Sequence, residues 1–492
     1  MNPQDFPNLR TRRDFFRQAA CAAVGTLSIA TTIRDLRFIN AAVAQGALTD
    51  YKALVCVFLS GGNDSNNLIV PINDYANYSS VRQNLALPQA SLLPVTSLNP
   101  DGNSYGLHPT VGEMQTLFNE GKLATIFNAG PLVHPMTRAQ YSANSVPKPP
   151  QLFSHSDQVT HWQTSLPDQP PKTGWGGRIA DLLHPEQWQL INGVPTANSA
   201  KIALCTSLAG ANTFEVGNTF AQYHVSTGGA VTLSSVTGAR LQAMEDILAV
   251  ADTNLQRNAF AGVTQNAINT GELLNNAIGG TAAANYFTTP FPNTSLGNQL
   301  KMVARIIQAG PRPSTDLPNP GLDMKRQIFF CSVGGYDTHT SQVQNNGATE
   351  ADRVLGSHTN LLNEVSEAIL AFQRAMEQLG HSQKVTLFTA SDFGRTFRTN
   401  GQGSDHAWGS HHIVMGGAVN GKRTYGAYPV LNVTGPDAVP TSSEGRWIPK
   451  IAVDEYSATL AKWFGVSPGN MSTVFPNIGH FAVPDLGFMS AT

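Results

Sequence analysis

Apolar residues fall along this chain in two rhythms. The first is a short unbroken run that stops at glycine or at a polar group. ALVCVFLSGGND (53–64) is such a run, rich in aliphatic and β-branched side chains. It predicts a strand buried on both faces, with polar groups at its carboxyl end. KLATIFNAG (122–130), AKIALCTSLAG (200–210), MKRQIFFCSVGGYDTH (324–339) and KVTLFTASDFGRT (384–396) have the same form. The second rhythm has a helical period. Leu361, Leu362, Val365, Ala368, Ile369, Phe372, Ala375, Met376 and Leu379 recur three or four residues apart, predicting a helix over 354–380 that Gly380 stops. Strand, helix, strand in this order is a βαβ unit, so the strands at 324–339 and 384–396 should lie parallel and near one another. Further helices are predicted over 236–275, 297–309 and 454–465. The pattern gives one large α/β domain with a mostly parallel central sheet, and a helical insertion over about 236–310 that could cover it.

The amino terminus breaks this pattern. TRRDFFRQAACAAVGTLSIATT pairs Arg12 with Arg13, follows them with Phe15 and Phe16, and then runs apolar from about Ala19 to Thr32. Ala42-Val43-Ala44 offers a cleavage site. This is the form of a twin-arginine export signal over 1–44, leaving 45–492 as the mature domain. The expected partner is the twin-arginine export machinery and the expected location is periplasmic or secreted. The apolar run is too short and too mild for a stable membrane span. Export by this route carries chains already folded, which suits one that takes up a metal beforehand.

Composition adds limits more than identity. With 492 residues, 41% hydrophobic and 13% charged, the chain can bury a large core under a polar, weakly charged surface. A formal net charge of −2 gives no reason to expect nucleic acid as a partner. Cys56, Cys205 and Cys331 each sit in an apolar run, as buried thiols do, with one disulfide left open.

The candidate chemistry lies where the strands end. Open parallel sheets place ligands at the carboxyl ends of their strands. Asp64 follows SGGN, Asp337 follows VGGY and Asp392 follows FTAS. His339 comes two residues after Asp337, and DFGRTFRTNGQGSDHAWGSHH (392–412) supplies His406, His411 and His412. Topology would bring these carboxylates and imidazoles to one edge. Mixed Asp and His ligands suit a borderline divalent ion such as zinc or manganese, and two such ions would clamp the oxygens of a phosphoryl transfer.

LSGGNDSNNLIVP, GGYDTHTSQ, SDFGRTFRTNG and DHAWGSHHIVMGGAV together resemble the family of unknown function numbered 1501. That group is commonly exported by the twin-arginine route and is assigned to the alkaline phosphatase-like superfamily. The resemblance covers nearly all of the mature chain. It implies an alkaline phosphatase-like α/β sandwich of three layers and a metal-dependent hydrolase site with one or two ions. Asp64 would be the first-strand metal aspartate, Asp337 and His339 the second acidic motif, and His411 the late histidine before a final strand. Asp392 stands where the superfamily has Asp-His, but Phe393 replaces the histidine. His406 would fill that gap with Asp405 behind it, leaving His412 spare or structural.

The resemblance also implies a nucleophile at a helix N-terminus, where free N–H groups receive an oxyanion. GPLVHPMTRAQY (130–141) offers Thr137, with Arg138 to hold a phosphate or sulfate oxygen. QLFSHSDQ (151–158) offers Ser154 and Ser156 around His155. Thr137 is favoured, because it follows a predicted strand and opens a helix. No Cys-x-Pro-Ser-Arg sulfatase signature and no dinucleotide fingerprint is present. The leading expectation is an exported metal-dependent hydrolase of a phosphate or sulfate ester, small or polymeric. The alternative is a catalytically inactive cell-envelope binding or structural protein of the same fold, which the missing histidine at 393 favours.

Overall fold

The computed structural model describes residues 48–183, 190–191, 194–195, 202–218, 220, 222–230, 236–250, 254–279, 287–316 and 320–490. The proposed export segment lies outside them.

Ten strands build the central sheet: β1 (Lys52–Leu59), β2 (Leu123–Gly130), β3 (Cys205–Ser207), β4 (Tyr223–Ser226), β5 (Gly229–Ala230), β6 (Arg326–Val333), β7 (Val385–Ser391), β8 (Ser410–Met415), β9 (Thr424–Tyr425) and β10 (Ile451–Ala452). Their order is β5-β4-β3-β6-β1-β7-β8-β2-β9, with β10 also pairing with β2. β1 lies at the centre, parallel to β6 on one side and to β7 on the other. The βαβ reading is therefore right about direction, with β1 inserted between its two strands. β8 runs against both its neighbours, and β5 against β4.

The run in β1 is unbroken because both faces of the sheet are covered. Ala53, Val55, Val57 and Leu59 point into one core, and Leu54, Cys56 and Phe58 into the other. Helices supply the outer layers: α1 (Gly112–Asn119), α2 (His155–Thr164), α3 (Trp175–Leu183), α4 (Ala239–Leu248), α5 (Leu255–Ala277), α6 (Ser295–Ala309), α7 (Ser357–Gln378) and α8 (Val453–Phe464). α1, α6 and α7 pack on the first face, while α2, α3 and α8 pack on the second. The result is three layers, with helices on both faces of a mostly parallel sheet. α7 is the helix that the three- and four-residue spacing predicts. Its Leu362, Val365, Ile369, Phe372 and Met376 are all buried, worth about 1.5–3 kcal/mol each.

Of the helices over 236–310, α6 packs on the first face of the sheet, whereas α4 and α5 cover little. α4 has no buried residue, and α5 meets the core through Leu274 and Ala277 near its end. Cys56, Cys205 and Cys331 are free and buried, so the open disulfide is not formed among them. Among the described residues, no helix is long and apolar enough to cross a membrane.

Candidate metal centre

The register that aligns β1 with β6 and β7 also levels their ends. Leu59 stands opposite Val333 on one side and Ser391 on the other. The segments leaving the three strands therefore start from one rim. Gly61 lets two of them pass closely: its φ is +116°, and a Cβ there would stand 2.4 Å from the backbone nitrogen of Asp337. Gly61→Ala is expected to push Asp337 off the rim and lower stability by about 1–3 kcal/mol, readable in a thermal melt.

Asp337 is the hub. Its Oδ1 lies 3.2 Å from His339 Nε2 and 3.3 Å from His406 Nε2, and its Oδ2 lies 3.5 Å from His155 Nε2. The Nε2 atoms of His339 and His406 are 2.8 Å apart. His155, Asp337 and His406 can each offer a ligand atom within 4.8 Å of the others. His155 comes from the first turn of α2, and His406 from the loop between β7 and β8.

The far side of each ring decides what this convergence means. His339 Nδ1 is 2.6 Å from Asp405 Oδ1, His155 Nδ1 is 2.7 Å from Asp392 Oδ2, and His406 Nδ1 is 2.8 Å from the carbonyl of Phe153. All three partners accept hydrogen bonds, so in each neutral ring the proton sits on Nδ1 and the Nε2 lone pair faces inward. Three lone pairs and a carboxylate then meet with nothing positive in their midst except the edge of Arg395. A cation at the centre, whether a proton or a metal ion, relieves their repulsion. The set also has the outer-shell pattern that orients metal-binding imidazoles. The donor set fits one divalent ion.

Local strain helps to build it. Phe153 sits at φ +74° and Gln151 at +50°, left-handed values that a bulky aromatic adopts only under constraint. This turn points the Phe153 carbonyl at His406. The Arg446 guanidinium lies 4.4 Å over the Phe153 ring and holds it. Phe393 forms an apolar wall, its ring 4.8 Å from His155 and 4.6 Å from His406.

Charge supports the geometry. Burial alone would raise the Asp337 carboxyl, but the hydrogen bond and charge of Arg395 hold it below the usual range. Burial lowers the His406 imidazole, and Arg395 and the neighbouring histidines add to this against the pull of the Phe153 carbonyl. His406 is thereby kept in the neutral form that a metal needs. Burial opposes, but Asn400, His339 and Arg395 prevail, in holding Asp405 low. Asp405→Asn is expected to weaken metal binding about 10–100-fold with the fold intact, measured by competition against a chromophoric chelator.

The structure thus brings Asp337, His339 and His406 together and assigns the other expected ligands differently. Asp392 is buried behind His155, its Oδ1 accepting from the Gly61 N–H at 3.0 Å. It orients the His155 ring. Asp64 is fully buried and ion-paired with Arg82, with Gln342 and Asn66 also donating to it. Asp405 supports His339, not His406 as expected. His411 and His412 belong to β8, a buried strand, so they face opposite sides of the sheet. His411 Nδ1 accepts from the Asn128 N–H at 3.0 Å, with Phe127 and Tyr428 around its ring, and burial pushes its pKa down to about 3. His412 packs on Trp162.

The nucleophile candidates separate as well. Thr137 is the N-cap of a six-residue helix and exchanges capping hydrogen bonds with Gln140. Arg138 Nη1 donates to the carbonyls of Gly435 and Ala438, which ties its guanidinium to the loop around 435–438. Ser154 caps α2 one residue before His155, and its hydroxyl donates to Asp157 Oδ2 at 2.6 Å. His155 is the member of the cluster that sequence reading missed. Its only signal was a histidine directly after a helix-capping serine.

The fold and site define an α/β protein with a large, mostly parallel sheet and a histidine–aspartate cluster able to hold a metal. Residues 322–441, which carry Asp337, His339, Asp405 and His406, match the family model described as a protein of unknown function (DUF1501). No curated protein matches the chain. Similar solved structures include Ps i-CgsB in complex with k-i-k-neocarrahexaose, 8% identical, covering 86% of this chain and 74% of that one at a TM-score of 0.34. The C-terminal periplasmic domain of EcEptC from Escherichia coli, in complex with Zn, is 10% identical over 85% of this chain and 83% of that one, at 0.31. The PsFucS1 sulfatase from Pseudoalteromonas sp. is 11% identical over 88% and 76%, at 0.28.

Proposed function

We propose that this chain is an exported metal-dependent hydrolase of a phosphate or sulfate ester. The observation that carries the reading is the set of three Nε2 atoms gathered on the Asp337 carboxylate, each ring hydrogen-bonded from behind. His155, His339, His406 and Asp337 would hold the ion, zinc or manganese by ligand type. Bound there, it would act as a Lewis acid on an ester oxygen.

The chain's own residues do the rest. Asp405, Asp392 and the Phe153 carbonyl fix the three rings. Arg395 sets a permanent positive charge beside Asp337. Ser154 is the candidate nucleophile, because its hydroxyl can pass its proton to the hydrogen-bonded Asp157 carboxylate. Ser154→Ala is expected to lower ester turnover on the order of 10²-fold while leaving metal content unchanged. Unchanged turnover would move the nucleophile elsewhere, a metal-held water being the next candidate. Arg12, Arg13 and the apolar run after them support export by the twin-arginine route, and replacing both arginines by lysine should strand the chain in the cytoplasm.

Elemental analysis of the purified protein, with turnover of an aryl phosphate and an aryl sulfate, tests the whole reading. Metal and turnover in the wild type, both lost in Asp337→Asn, are expected. A protein that binds no divalent ion would end it. Thr137 and Arg138, both hydrogen-bonded within the fold, favour the second reading of an inactive binding or structural protein. Bound metal without turnover of either ester would select it.

A further inference from the structure

We infer that the rim takes a single divalent ion, because the place of a second is filled by the chain's own guanidinium groups, Arg395 and Arg82. The inference rests on the metal reading above and concerns its stoichiometry.

Four carboxylates line this part of the rim, and only Asp337 meets the imidazole cluster face on. Asp392 and Asp405 are turned to His155 and His339. Asp64 has no exposed surface, and both its oxygens are taken: Oδ2 by Arg82 and Gln342, Oδ1 by Asn66. Arg82 cannot swing away to free it. Its Nη1 donates to the carbonyls of Thr396 and Phe397 and its Nε to Asn67 Oδ1, all inside the protein. Asp337 alone presents its carboxylate to the three inward-facing imidazoles.

Arg395 lies against Asp337 and within range of the Asp64 charge. It has no exposed side-chain surface, and its Nη1 donates to Asp337 Oδ1 at 2.8 Å and to the Gly61 carbonyl at 2.9 Å. Its Nε and Nη2 both go to the Ser404 carbonyl. It feels the charges of Asp337, Asp64 and Asp405. A cation placed between Asp337 and Asp64 would meet this guanidinium. His411, whose Nε2 has no protein partner, adds one donor to a carboxylate already neutralised.

Net charge gives the same answer. The carboxylates of Asp64, Asp337, Asp392 and Asp405, set against the guanidiniums of Arg82 and Arg395, leave two negative charges. One divalent ion balances them. A second would leave two positive charges uncompensated among partly buried groups, where such charge is strongly unfavourable.

Manganese is the probe of choice. The full chain, saturated with Mn²⁺ and freed of excess by gel filtration, is expected to retain one ion per chain and give the six-line EPR spectrum of an isolated ion. Two ions per chain with an exchange-coupled spectrum would overturn the inference and leave the metal reading standing. No bound ion, with Mn²⁺ or Zn²⁺, would remove both. A paired variant, Asp64→Asn with Arg82→Gln, removes both charges, together with the Arg82 hydrogen bonds to the Thr396 and Phe397 carbonyls. It is expected to bind the same amount of metal as the wild type. Loss of metal from a variant with unchanged circular dichroism would place Asp64 in the coordination sphere and defeat the idea. Should that variant fail to fold, the wild-type spectrum alone decides.

Discussion

Asp337→Asn is expected to lower metal affinity on the order of 10³-fold and to abolish ester turnover, with little change in the fold. The size of the effect follows from its position. Asp337 is the one carboxylate that meets all three inward-facing imidazoles. The amide keeps the volume but removes the charge, and it offers the ion a single weak oxygen. Three neutral rings would remain, beside an Arg395 whose charge has lost its counterpart. That guanidinium keeps the carbonyls of Gly61 and Ser404, so the surrounding backbone should stay in place. Isothermal titration with Zn²⁺, with circular dichroism as a control, measures both halves of the claim. Wild-type affinity in the variant would take Asp337 off the ligand list.

Acid should destabilise the protein steeply between about pH 6.5 and pH 4, by a net amount of about 4–6 kcal/mol from pH 7 to 5. Burial pushes the pKa values of His108, His411 and His412 down to about 3, and those of His161 and His358 to about 4. The sign follows from proton binding. In the unfolded chain these imidazoles titrate near 6.5, so below that pH the unfolded state takes up protons that the fold refuses. Stability is present above the unfolded value and falls with pH, by about 2 kcal/mol for each histidine between pH 7 and 5. Two carboxyls act in the opposite sense. Burial raises Glu215 to about 8 and Asp454 to about 7, so the fold holds their protons at pH 5 while the unfolded chain does not. They return about 2–3 kcal/mol each, which leaves the histidines ahead. Urea titrations at pH 7 and pH 5, in chelator so that metal release does not contribute, would test this. Equal midpoints at the two values would refute it.

What the sequence made legible is what chain chemistry encodes locally. The apolar runs of β1, β6 and β7 predict buried parallel strands, and with them a rim bearing Asp337, His339 and Asp392. The spacing in α7 predicts its buried face residue by residue. Roles that depend on a distant partner were not legible. Asp64 looks like any strand-end carboxylate until Arg82 arrives from the end of the helix Tyr75–Arg82. Asp405 precedes His406 in sequence yet supports His339 across the rim. His411 reads as a residue just before a final strand, but that strand already starts at Ser410 and is buried between two neighbours, which turns His411 and His412 into core residues. Thr137 and Ser154 have the same capping chemistry on paper. Only the fold shows which of them adjoins the cluster.

The four inward-facing donors come from residues 155, 337, 339 and 406, carried by a helix start, a strand end and a loop. A nascent polypeptide lacks the last of them until residue 406 has been made, and His155 comes from the other half of the domain. Loading must therefore follow completion of the fold, so that possession of a tightly held ion would mark molecules whose remote segments have already met.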